Sequence, residues 1–444
     1  MKKIFIKIKP FIKYVLIFVF FLVWNLIVQP LNLDETWNYG FVYNISRGLV
    51  PYRDFNMVIT PLYPFIMAIF SFAFGGGVLV LHIMNALMIT LIFSVIEKLI
   101  GDKAYLCLVL FCIPLSVLFP SYNLFLLILF ILLIYLERNG ANDYLIGIIL
   151  SCCILTKQSV GICLVLPSLY YLRDFNKIKK RFIGLIIPIV VFIVYLILND
   201  AFFQFLDLCV LGLFDFTREN GNFINIFVLF SIVLFIINLF FIKSDYKNIN
   251  NYYLLAFFSI LIPLFDLYHF QIYLIAFLVI LFLNKNMKLV INLKLFCVGI
   301  VLGVTFLMMR DKVSGDIIYP NNINNFEYRL IDKKYIQFTK DINAKIKEYS
   351  DREIIFLGAD GYYFKIINNE DIGYLDLINT GNWGYDGSSK LLDTIKNKKD
   401  ALFFVDEKEI GSNKQTDQNA LKYVVKRGKE IDKSWKYSIY ILEE

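Results

Sequence analysis

Between residues 11 and 309 the chain repeatedly runs for about 20 residues with almost no charge, the length at which an α-helix crosses a hydrocarbon core of about 30 Å. With 58% hydrophobic and 17% aromatic residues, it does not have the make-up of a soluble protein. The runs predict spans over 11–29, 78–100, 104–119, 124–136, a fifth rising to Thr156-Lys157-Gln158, and then 160–172, 182–198, 223–242, 252–265, 271–283 and 293–309. The segment 62–74 is too short to cross comfortably and reads as a helix in the interface, ended by Gly75–Gly77. The expected class is an α-helical polytopic membrane protein of about eleven transmembrane helices with outer juxtamembrane helices.

After Arg310 the chain becomes charged and holds no run long enough to span, so 1–309 reads as the membrane domain and 310–444 as a small soluble domain. EIIFL, ALFFV and YSIYI there look like strands, and SSKLLDTIKN like a helix opening on serine caps, which gives an α/β domain. The intervening 311–352 reads as a polar linker with a helix, wrapping along the membrane domain.

The net charge of +7 could point to nucleic acid, but its placement argues against that. Bases gather at alternate ends of the apolar runs, as the positive-inside rule requires of a membrane protein. Lys2, Lys3, Lys7, Lys9 and Lys13 place the N-terminus in the cytoplasm, and an odd number of spans then leaves 310–444 outside. Residues 1–29 are expected to be an anchor, since 23–29 offers no small-residue cleavage site. The seven cysteines lie in or near apolar segments without C-x-x-C spacing, which disfavours disulfides and a zinc site.

The longest polar interruption in the N-terminal two thirds, from Leu33 to Pro64, is where chemistry is expected. Asp34 and Glu35 follow the first span. Read plainly, Asp34 caps a surface helix and Glu35 sits favourably in its first turn. Arg53 and Asp54 read either as an exposed ion pair or as an anion site with its positioning acid. Lys157, at an outer turn, either snorkels or holds a lipid phosphate at headgroup depth. Asp266 and His269 are polar groups at the turn between the ninth and tenth spans. His82 lies inside an apolar helix, where a hydrogen-bonded packing role is expected. Arg218, Glu219 and Asn220 read as a solvated rim. Gly358–Gly361 lacks the G-x-G-x-x-G form, so dinucleotide binding there is not expected.

Taken in order, these features resemble the GT-C class of polyprenyl-phosphate-dependent membrane glycosyltransferases, which includes the protein O-mannosyltransferases and the bacterial aminoarabinose transferases. The resemblance rests on Asp34-Glu35, Gly48-Leu49-Val50-Pro51-Tyr52-Arg53-Asp54-Phe55, Pro61-Leu62-Tyr63, Leu155-Thr156-Lys157 and Asp266-x-x-His269, and it covers 1–309. The tail is similar to the extracytoplasmic α/β domains of Gram-positive relatives. One departure stands: where some relatives carry a further acid between the third and fourth spans, this chain has Pro120-Ser121-Tyr122-Asn123.

The resemblance implies a sugar donor on a polyprenyl phosphate and a glycan, lipid or protein acceptor outside the plasma membrane. Asp34 would be the general base and Glu35 its catalytic companion, with inversion at the anomeric carbon. Lys157 and Arg53 would stabilise the departing phosphate. Tyr52, Asp54, Asp266 and His269 would complete substrate binding. No cofactor is implied with certainty, and a divalent cation, Mg or Mn, stays open. The competing class is a transporter or flippase of lipid-linked glycans. The absence of an internal repeat and the clustering of polar candidates on one face weigh against it. A polymerase or ligase of surface polysaccharide is the nearer rival.

Overall fold

The computed structural model describes residues 2–27, 33–112, 120–170, 174–220, 226–262, 264–284, 317–318, 322–329, 331–411 and 416–443. The chain is mostly helical, with a small sheet near its C-terminal end. The helices are α1 (Lys2–Ile27), α2 (Leu33–Ser46), α3 (Leu62–Phe74), α4 (Val78–Ile100), α5 (Ala104–Cys112), α6 (Tyr122–Arg138) and α7 (Asp143–Thr156). They continue as α8 (Gln158–Tyr170), α9 (Phe175–Leu198), α10 (Phe202–Phe205), α11 (Gly212–Asn220), α12 (Ile226–Ser244), α13 (Ile249–Phe257) and α14 (Leu267–Leu283).

Among the described residues, Val78–Leu108, Phe175–Leu198 and Ile226–Ser244 are long and apolar enough to cross a membrane. Shorter apolar helical stretches are Phe11–Leu26, Leu62–Phe74, Asp143–Thr156, Gln158–Leu169, Ile249–Leu261 and Leu267–Leu283, and α3 has the bounds expected of the interfacial helix. The expected span 293–309 lies outside the described residues. Helix ends are closed by side chains: Ser121 accepts from the Leu124 N–H, Asn142 from Tyr144, Asp174 from Asn176 and Asp266 from His269. Such caps satisfy donors that the helix itself leaves unpaired.

Two glycines let α7 and α9 meet backbone to backbone. A Cβ on Gly147 would stand 2.1 Å from the Arg181 carbonyl oxygen, and one on Gly184 would stand 2.2 Å from that of Tyr144. Close approach through small residues is how helices associate where lipid removes the hydrophobic drive. The same contact is locked by charge: Arg181 grips Glu137 at 2.5 and 2.9 Å and Asp143 at 2.8 Å, while the Tyr253 hydroxyl donates to Glu137 at 2.6 Å.

The tail has a two-stranded piece, β1 (Ile317–Ile318) with β2 (Ile331–Asp332), and a four-stranded sheet in the order β3-β4-β6-β5. Its strands are β3 (Ile354–Leu357), β4 (Leu402–Asp406), β5 (Gly428–Ser434) and β6 (Tyr437–Leu442). β3 and β4 are parallel, and the other pairs antiparallel. Three strands lie where their apolar runs predict; β5 was not expected, because GKEIDKS is a polar edge strand with no buried face to announce it. The serine caps are corrected: the helix Gly387–Lys396 starts after Asp386, which makes no side-chain cap bond, and Ser388 and Ser389 lie inside its first turn.

The period-two alternation of the strands divides the sheet's faces. Phe356, Phe404, Tyr437 and Ile439 join the core that runs down into the bundle, whereas Ile355, Phe403, Val405 and Leu442 pack a smaller core on the other side. The tail is therefore packed onto the bundle. Gly40 of α2 lies so close to Tyr362 that a Cβ there would stand 2.4 Å from the ring. Asn44 exchanges hydrogen bonds with the Ile372 backbone at 2.9 and 3.2 Å.

Candidate active site

Asp34 and Glu35 fall in the first turn of α2, where unpaired N–H groups favour carboxylates. Adjacent helical residues point about 100° apart, so the two acids meet different surroundings. Asp34 faces a cavity of about 170 Å³. Glu35 turns inward, away from the cavity lining.

Six parts of the chain wall the cavity, among them Val58 and Ile59 of the loop before α3 and Phe216 of α11. α2 contributes Asp34, Trp37, Asn38 and Phe41; the start of α6 contributes Tyr122 and Asn123. The turn into α14 contributes Asp266, Tyr268 and His269, and the tail contributes Leu377, Thr380 and Asn382. Asp34's side chain is exposed to the cavity but protein surrounds it on most sides, and among the described residues its carboxylate accepts no hydrogen bond. That partial burial, joined by the charge of Asp266, pushes its carboxyl up to about 6.

Opposite stands a polar chain. Asp266 caps α14 through the His269 N–H at 2.8 Å and faces the His269 Nδ1 at 2.9 Å. His269 Nε2 lies 3.3 Å from Asn123 Nδ2, and Lys157 Nζ donates to Asn123 Oδ1 at 3.2 Å. The lysine fixes the amide, the amide donates to Nε2, and Nδ1 therefore carries the proton given to Asp266. Lys157 also sits over the Tyr122 ring, 5.8 Å from its centroid.

Beside this cavity, an apolar groove of about 840 Å³ runs between α3, α7 and α9. Phe65, Ile69, Phe72, Leu155, Pro188, Val191 and Tyr195 line it. Lys157 lines neither space, but it follows two residues after Leu155 of the groove and is bonded to Asn123 of the cavity wall.

Several expected residues lie elsewhere. Glu35 is buried, held by His82 Nε2 and Arg329 Nη2, both at 2.5 Å. Burial alone would raise its carboxyl, but Arg329 and His82 hold it below the ordinary value. His82, buried and hydrogen-bonded to Glu35, thus has the hydrogen-bonded packing role expected of it. Tyr52 is fully buried at φ 71°, with its hydroxyl on the Ile59 carbonyl at 2.8 Å, and does not line the cavity that Asp34 faces. Arg53 and Asp54 form a forked pair at 2.8 and 2.9 Å outside the cavity, and Arg53 also reaches the Asn199 carbonyl at 3.3 Å. Arg218 pairs with Asp215 at 3.1 Å on the exposed rim.

Sequence reasoning did not single out Asn38 or Arg329, and Asn123 entered it only as a departure from relatives. A polar residue at the first turn of an otherwise apolar helix was the available signal for Asn123. Nothing in the sequence ties Arg329 to Glu35.

Among the described residues, no three His, Cys, Asp or Glu side chains gather in a way that would hold a metal. The cavity holds two carboxylates, Asp266, whose oxygens face His269, and Asp34, beside the amide and hydroxyl oxygens of Asn38, Thr380 and Asn382.

Neither a protein-family model nor a curated protein matches the chain. Solved structures do. ArnT from Cupriavidus metallidurans bound to undecaprenyl phosphate superposes with a TM-score of 0.58 at 12% identity, over 98% of each chain. Its apo state gives 0.55 over 97% of each. The oligosaccharyltransferase AglB from Archaeoglobus fulgidus gives 0.46, over 90% of this chain and 70% of that one. ArnT belongs to the GT-C superfamily, and this chain shares its fold from end to end.

Proposed function

We propose that the chain is a membrane glycosyltransferase that moves a sugar from a polyprenyl-phosphate donor to a hydroxyl-bearing acceptor outside the membrane. The observation that carries this is Asp34, a carboxylate without a hydrogen-bond partner among the described residues, facing a cavity whose far wall leads through His269 and Asn123 to Lys157. The adjoining groove suits a lipid chain, since about 840 Å³ is walled by aliphatic and aromatic side chains. A lipid-phosphate donor is supported by ArnT, which shares this fold and was solved bound to undecaprenyl phosphate.

In this reading the polyprenyl chain lies in the groove, the phosphate beside Lys157 and the sugar in the cavity. Asp34 takes the acceptor's proton as its oxygen attacks the anomeric carbon, and the carbon–phosphate-oxygen bond breaks on the opposite side, inverting the centre. Lys157 meets the charge that develops on the leaving phosphate. Asp266 holds His269, which with Asn123 fixes the lysine. Glu35, deep in its ion cluster, positions α2 and does not touch substrate. Arg53, paired with Asp54 and close to Tyr195 of the groove, is a lesser phosphate candidate.

The test is label transfer from a radiolabelled polyprenyl-phosphate sugar in membranes, comparing the natural chain with Asp34→Asn. Transfer should vanish while the variant melts no lower than the natural chain. Undiminished transfer by the variant refutes Asp34 as base, and movement of label between leaflets without transfer makes the chain a transporter.

A further inference from the structure

The tail loop around 377–387 does more than cover the bundle. It is rich in glycine, and two of these glycines are obligatory. Gly381 (φ 84°) would place a Cβ 2.7 Å from the Phe216 Cα, and Gly384 (φ 77°) would place one 2.5 Å from an Asp207 carboxylate oxygen. Close approach lets the loop be clamped. Asn56 donates to the Leu377 and Asn382 carbonyls at 2.7 and 3.1 Å, and Asp207 accepts from Lys390 at 2.6 Å. Asp215 accepts from the Asp386 N–H at 2.6 Å, and Trp383 closes the loop on itself through the Leu377 carbonyl at 3.0 Å.

So held, the loop sets Leu377, Thr380 and Asn382 on the cavity that Asp34 faces, while among the described residues no tail residue lines the apolar groove. We infer that this loop is the acceptor-binding wall of the site and selects the acceptor. The inference rests on the glycosyltransferase reading above. In-line displacement requires the acceptor to enter opposite the leaving phosphate. Asn123, bonded to Lys157, marks the leaving-group side, and of the remaining walls (α2, the 58–59 loop, α11 and the tail) the tail brings two polar side chains, Thr380 and Asn382. Thr380 and Asn382 offer a hydroxyl and an amide there, groups suited to the hydroxyls of a saccharide or a similarly polar acceptor.

The experiment uses the full chain in its own membranes, supplied with a radiolabelled polyprenyl-phosphate sugar, and reads two products. These are label fixed in membrane-bound product and label released as free sugar, for which water is the acceptor. Thr380→Val and Asn382→Leu should each lower the ratio of fixed to free label about fivefold, the worth of one lost hydrogen bond. Lys390→Met, which loosens the clamp without touching the cavity, should move the ratio the same way. An unchanged ratio in all three, or an equal fall of both products, overturns the assignment. Loss of both products only in Asp34→Asn leaves the underlying glycosyltransferase reading intact, so the two claims fail separately.

Discussion

Arg329 of the tail donates to Glu35 of α2 at 2.5 Å, joining positions 294 residues apart in the chain. Both side chains are fully buried, and Arg329 also bonds the Asn25 carbonyl at 2.7 Å. The helix that carries Asp34 is thus anchored by a residue from beyond the bundle. Removing one partner of a buried ion pair strands the other's charge, at a cost of about 3–5 kcal/mol. Arg329→Met should therefore lower the melting temperature strongly in detergent, while Glu35→Gln in the same background recovers part of the loss. A melt of Arg329→Met matching the natural chain would show the anchor to be idle.

The raised carboxyl of Asp34 sets a pH limb. A base must be ionised, and Asp34 is protonated below about 6, so kcat/KM should climb as pH rises through about 6 and level off above. Asp266→Asn removes the like charge but leaves the burial, so the limb should shift to lower pH without reaching the ordinary value of 3.8. A rate profile flat from pH 5 to 8 would contradict the assignment.

Lys157→Met should raise the KM for the donor and lower kcat together, because a cation at the phosphate is felt in both binding and leaving-group departure. A hydrogen bond to a charged group is worth roughly 1.5–3 kcal/mol, so a loss of at least tenfold in kcat/KM is expected. Steady-state kinetics with varied donor reads it; an unaltered KM would place the phosphate elsewhere, with Arg53→Met the next variant to measure.

At the α7–α9 contact, Gly147→Leu cannot be absorbed by side-chain movement, since the clash is with the Arg181 backbone. Overpacking usually costs about 1–3 kcal/mol, and a backbone clash lies at or above that range. Little folded protein should be recovered by size-exclusion chromatography in detergent. A monodisperse peak of normal yield would show that the helices can part there.

Legibility followed how local the determining physics is. α3 begins and ends where the apolar run and Gly75 place it, and β4 coincides with ALFFV to within a residue. Asp34, Asp266 and His269 could be singled out because a carboxylate or imidazole beside a membrane span needs a reason. Tyr52, Arg53 and Asp54, in the same loop, lie away from the cavity: Tyr52 serves a tight turn at positive φ and the other two pair with each other.

By itself the sequence determined the helical bundle, the bounds of α3 and three of the tail's four main strands, because apolar runs of fixed length leave few other ways to bury themselves. Only the tertiary structure decided that Asp34 and Glu35 part company, one to the cavity and one to Arg329. Only it showed that Asn123 links Lys157 to His269, and that a glycine-rich loop of the tail walls the cavity. Those contacts join residues far apart in the chain, and no periodicity or composition records which distant side chain will fill a given space.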